Sequence, residues 1–158
     1  MGNFKIDECI KDQYELYRNI CSFLSEFYES KFYEPASLEK IEQWEKDNNT
    51  KLPHQYKSWL LLTSEASILD SYLEFTWPEL GTYEEKSDVI NIGTRMGDGE
   101  EIGMFRSTGR FYTSVDGETE EYKKFDDLLD SFEFHMEDMI KESIGGNWAE
   151  DFNKKFGY

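Results

Sequence analysis

Residues Ser37 to Thr63, SLEKIEQWEKDNNTKLPHQYKSWLLLT, hold two short helical patterns hinged at Leu52-Pro53. Leu38, Ile41 and Trp44 recur at helical spacing, with Ser37 placed to cap the first N–H groups and Pro35 just outside. Asn48 and Asn49 offer the left-handed residue that ends a helix where no glycine stands. Pro53 suits the start of the next helix, since its missing N–H would have had no partner there. Tyr56, Trp59, Leu60 and Thr63 then form one buried face. The segment predicts a compact helical hairpin.

Downstream the pattern changes. Residues 88–118 read DVINIGTRMGDGEEIGMFRSTGRFYTSVDGE, with short apolar runs separated by turn residues. Val89, Ile90 and Ile92 predict one strand, Ile102 to Phe105 the next, and Phe111 to Val115 a third. Gly97-Asp98-Gly99, Ser107-Thr108-Gly109 and Asp116-Gly117 supply the positive-φ residues that tight hairpins require. Tyr122 to Phe125 is a fourth expected strand, and Ser71 to Glu79 alternates partly before stopping at Pro78. Asp130-Ser131-Phe132-Glu133 has the form of a capping box opening a helix with Phe132, Met136, Met139 and Ile140 on its apolar stripe.

This order (helix, Leu-Pro, helix, then strands with Ile92-Gly93-Thr94 and a Gly-Asp-Gly turn, then Asp130-Ser131-Phe132-Glu133-Phe134) resembles the SUKH superfamily of Smi/Knr-type domains. Leu52-Pro53 with Tyr56 and Lys57 completes the set, and the likeness runs from about Ala36 to Lys141. The sequence departs from the family after the second helix, where Ser64-Glu65-Ala66-Ser67 replaces the usual Asn-Gly or Gly-Gly turn. The fold expected is α+β: a single domain of N-terminal helices, a mainly antiparallel sheet of about 4–6 strands, and C-terminal helices packed on it. Residues 36–143 would be the family core, 1–35 an N-terminal helical extension and 144–158 a C-terminal helical appendage. The extension carries a helical pattern from Ile6 to Tyr28, which either packs on the domain or mediates a homodimer contact.

Composition sets independent bounds. With 158 residues the chain can bury one continuous core, and its 16% aromatic content argues against disorder. No apolar run approaches the roughly 18 residues a membrane helix needs, and the first residues lack a signal-peptide core, so the expectation is a cytoplasmic protein. Cys9 and Cys21 would stand about 18 Å apart on a continuous helix, which predicts two buried or half-buried thiols and no disulfide.

Seventeen Lys and Arg against 34 Asp and Glu leave a formal net charge of −17. Glu84, Glu85 and Asp88 cluster ahead of the first strand, Asp98, Glu100 and Glu101 around the first hairpin turn, and Asp116, Glu118, Glu120 and Glu121 around the third. Turns sit at strand ends, so these acids could make one negative rim, which repels nucleic acid and anionic lipid and attracts a basic protein. Tyr72, Trp77 and Tyr83 lie among acids and are either interface anchors or covers for the sheet edge.

Catalytic patterns are weak. The only histidines, His54 and His135, stand apart, and no spacing for a zinc site or a serine-nucleophile elbow exists. Residues 93–99, GTRMGDG, lack the closing Lys-Ser/Thr of a phosphate loop and precede a strand instead of a helix. Residues 116–120, DGETE, lack the spacing of an EF-hand loop. No cofactor or metal is expected. The resemblance implies a non-enzymatic immunity protein that neutralises a cognate bacterial toxin by stoichiometric occlusion, and the charge points to a basic toxin, for instance a nuclease. The alternatives are a small carboxylate- or metal-dependent enzyme and a regulatory scaffold of the fungal Smi/Knr kind. Monomer and homodimer are both open.

Overall fold

A computed structural model describes residues 4–81, 88–96 and 99–158. The chain begins with helix α1 (Glu8–Phe23), capped by the Asp7 carboxylate, which accepts the Ile10 N–H. A two-residue strand β1 (Lys31–Phe32) follows, and then the hairpin of α2 (Leu38–Asp47) and α3 (His54–Leu60). The expected chemistry holds there. Ser37 Oγ accepts the Lys40 N–H, Asn49 ends α2 at φ 47°, and Pro53 occupies the N-cap of α3. Glu45 clamps the hinge: its carboxylate accepts the Leu52 N–H at 2.7 Å and pairs with Lys57 at 3.4 Å.

Strands β2 (Ala66–Ile68), β3 (Leu73–Leu80), β4 (Val89–Arg95), β5 (Glu100–Phe105), β6 (Phe111–Val115) and β7 (Glu118–Tyr122) then run up and down in chain order. With β1 they form an antiparallel sheet of seven strands among the described residues, ordered β1 to β7. Helices α4 (Phe125–Ile144) and α5 (Trp148–Phe156) close the chain. The single-domain α+β architecture is as expected, but the sheet exceeds the four to six strands foreseen. The unforeseen strands are β1 and β2, of two and three residues, too short to display a period of two.

Register places Phe32, Ala66, Phe75, Gly93, Ile102, Thr113 and Glu120 in one cross-sheet row, with Leu80, Ile90, Met104, Phe111 and Tyr122 in another on the same face. The helices cover this face. Trp59 meets Tyr14, Tyr17, Phe75 and Phe125 at ring-centroid distances of 5.1–5.9 Å, chiefly edge to face, the arrangement favoured by aromatic quadrupoles. Ile10, Tyr17, Ile20 and Leu24 of the N-terminal segment and Trp148 and Phe152 of the C-terminal one join the same core. Both segments are therefore part of one hydrophobic interior.

Five local expectations are corrected. Helix α1 stops at Phe23 instead of Tyr28, leaving Phe27 exposed. Cys9 is exposed while Cys21 is buried, because only Cys21 shares the face of Tyr17 and Ile20. The fourth expected strand lies earlier, at Glu118–Tyr122, since the two-residue turn Asp116-Gly117 returns the chain at once. Helix α4 then starts at Phe125, a turn ahead of Asp130, which lets Phe125, Leu128 and Leu129 enter the core. At this start the Asp127 carboxylate accepts the Lys124 N–H at 3.3 Å. Strand β3 runs through Pro78 by a register shift between Phe75 and Glu79. There the Trp77 N–H leaves the ladder for the Glu65 carboxylate, and the Pro78 carbonyl accepts from Trp44 Nε1. No helix among the described residues is long and apolar enough to cross a membrane.

Candidate partner-binding surface

In an up-and-down sheet alternate turns share an end. The β2–β3, β4–β5 and β6–β7 turns therefore stand together, which sets Glu100, Glu101, Asp116 and Glu118 toward one end of the sheet. The backbone there is unusual. Leu69, Asp70, Ser71, Met96 and Asp116 all have positive φ without being glycine. Burial of Leu69 and hydrogen bonds from the Leu69 N–H to Ser30 Oγ and from the Glu29 N–H to Asp70 Oδ1 hold the first of these turns.

The β6–β7 hairpin carries the exposed charge. Asp116 and Gly117, at φ 50° and 82°, form a two-residue turn, and Asp116, Glu118, Glu120 and Glu121 are all exposed. Glu121 pairs with Arg110 at 3.1 Å on the surface. On the face away from the helices, the Tyr112 hydroxyl donates to Glu101 Oε2 at 2.6 Å and its ring stacks on Phe105 at 4.7 Å. Gly103 makes room for that ring, because a Cβ there would stand 2.5 Å from Tyr112 Cζ and Oη. Burial, and then the hydrogen bond to Glu101, holds the Tyr112 phenol above its usual pKa, so the hydroxyl keeps the proton it donates.

Glu100 departs from the rim. It is 5% exposed and faces Arg95 across the β4–β5 ladder, with Arg95 Nε 2.6 Å from Oε1 and Nη2 donating to Oε2 at 3.0 Å. The guanidinium lies 5.7 Å from the Phe132 ring centroid. Strand alternation explains the correction: Glu100 shares a face with Ile102 and Met104, whereas Glu101 points the other way.

Tyr72 and Trp77 are both half-buried. The Tyr72 carbonyl accepts the Met96 N–H, tying the first turn to the second, and burial holds its phenol above the usual value. Trp77 packs against the core edge with Lys40 Nζ 4.4 Å above its ring. Tyr83, Glu84, Glu85 and Asp98 lie outside the described residues. Phe134, named above only for the resemblance, is 64% exposed on α4, and sequence reasoning did not place it among the surface aromatics. It stands two residues from Phe132, off the apolar stripe, and that offset was the available signal.

The histidines sit against rings: His54 stacks on Phe4 at 4.4 Å and His135 meets Phe134 at 5.7 Å. Among the described residues no group of three or more His, Cys, Asp or Glu side chains is placed to hold a metal ion. What the surface offers is a set of exposed carboxylates on a β-hairpin, a charge that suits cationic side chains. Compared with known proteins, the chain matches no family model and no curated sequence.

Proposed function

We propose that the protein is a non-enzymatic immunity protein that binds a basic cognate toxin and blocks it by stoichiometric occlusion. The observation that carries this reading is the β6–β7 hairpin, on which Asp116, Glu118, Glu120 and Glu121 are exposed together at one corner of a molecule of net charge −17. Four carboxylates within six residues, held on a strand, set up a local field stronger than the same charges dispersed. Such a field raises encounter rates with a basic protein by about 10- to 1,000-fold at low salt. Where the partner's groove is built for phosphates, these carboxylates would occupy it in their place. The order of elements, with the Leu52-Pro53 helical hairpin ahead of the sheet and α4 behind it, supports the reading through its likeness to SUKH domains.

The test is charge reversal at Asp116, Glu118 and Glu120, with the proposed basic toxin domain as partner. The triple lysine variant should associate about tenfold more slowly and lose most of its salt dependence. Its unfolding midpoint should hardly move, because these side chains are exposed. Association kinetics equal to those of the parent would contradict the proposal.

A further inference from the structure

Strand β7 is the last of the sheet, paired with β6 on one side only among the described residues. Its two-residue turn makes Val115 and Glu118 the hydrogen-bonded closing pair, so Thr113–Glu120 and Phe111–Tyr122 are the next such pairs. The backbone N–H and C=O groups of Thr119 and Glu121 therefore point outward, and neither residue has another backbone partner among the described residues. Residues 118–121 are all exposed. The opposite edge differs: β1 offers two residues, one of them Lys31, the short and charged form that discourages pairing.

We propose that β7 is a docking edge, which takes a basic extended segment of the partner protein as an added strand hydrogen-bonded at Thr119 and Glu121. Charge selects the occupant. A second copy of this chain would set Glu118, Glu120 and Glu121 against the same acids, and like charges directly opposite repel. A strand carrying Lys or Arg meets Glu118 and Glu120 on the helix side and Glu121 on the other. The Arg110–Glu121 pair is solvent-exposed and holds Glu121 only weakly against such a competitor. This inference rests on the binding role proposed above and names the element that does the binding.

The probe is a short peptide alternating arginine and valine, with an acidic counterpart in which glutamate replaces arginine. Amide exchange followed by NMR should slow at Thr119 and Glu121 when the basic peptide binds, and the acidic peptide should leave both unchanged. Thr119→Pro removes an outward N–H and leaves the β6 ladder intact, so it should weaken the basic peptide about tenfold without shifting the unfolding midpoint. Glu121→Pro provides a second variant should the first fail to fold. Unprotected amides at 119 and 121 under saturating peptide, or a proline variant binding as well as the parent, would overturn the inference. So would concentration-dependent self-association that Thr119→Pro abolishes. Peptide bound elsewhere on the acidic surface would overturn the docking edge while leaving the partner-binding role standing.

Discussion

Arg95 and Glu100 face each other on the helix-covered side of the sheet, where water does not reach either charge freely. Removing one partner leaves the other uncompensated, so Glu100→Gln should lower stability by about 3 kcal/mol in chemical denaturation. Replacing both residues by leucine should restore much of that loss, because the desolvation cost of two charges disappears with them. A Glu100→Gln variant as stable as the parent would show that the pair is solvated. The position illustrates how far residue-level reading reaches. In the run Asp98 to Glu101 the acids look equivalent, yet a period of two already sets Glu100 with Ile102 and Met104 and Glu101 against them. What the sequence did not disclose was Arg95 as the partner, since that pairing depends on the β4–β5 register. Cys9 and Cys21 separate for a related reason: burial raises the Cys21 thiol to about 11, while Cys9 faces solvent.

Helix α4 shows the same limit at the scale of an element. Its apolar stripe was readable, but its start was not, because Asp130-Ser131-Phe132-Glu133 carries a capping pattern in mid-helix. Tertiary burial of Phe125, Leu128 and Leu129 outweighed the local cap. Burial, and then repulsion from neighbouring acids, holds the carboxyls of both Glu133 and Asp130 above the ordinary range. A carboxyl whose folded pKa is raised binds its proton more tightly in the native state. Its contribution is therefore unfavourable at neutral pH and is relieved as pH falls through the folded value toward the unfolded one. Glu133→Gln should accordingly unfold slightly above the parent at pH 7, with the difference shrinking as pH falls through the raised folded value and gone below the ordinary carboxylate pKa. A constant difference across that window would mean that titration of Glu133 plays no part. At the same scale, β1 and β2 were missed because two or three residues display no period, whereas β6 was read to the residue from Phe111 to Val115.

The whole molecule adds what neither scale contains: an antiparallel meander gathers alternate turns at one end, so acids remote in sequence become neighbours. The rim foreseen from the turn chemistry also included Asp88, which instead bonds Ser107 at the opposite end of the sheet. The geometry adds the withdrawal of Glu100 into the interior and the exposed edge of β7. Tyr72 and Trp77, foreseen as anchors or edge covers, are half-buried against the core. Hydrogen exchange of the protein mixed with the basic toxin proposed as its partner tests this account most directly. A one-to-one complex with protection concentrated in residues 111–122 is the predicted result. Protection confined to the outer surfaces of α1 and α5, with β6 and β7 unchanged, would contradict it.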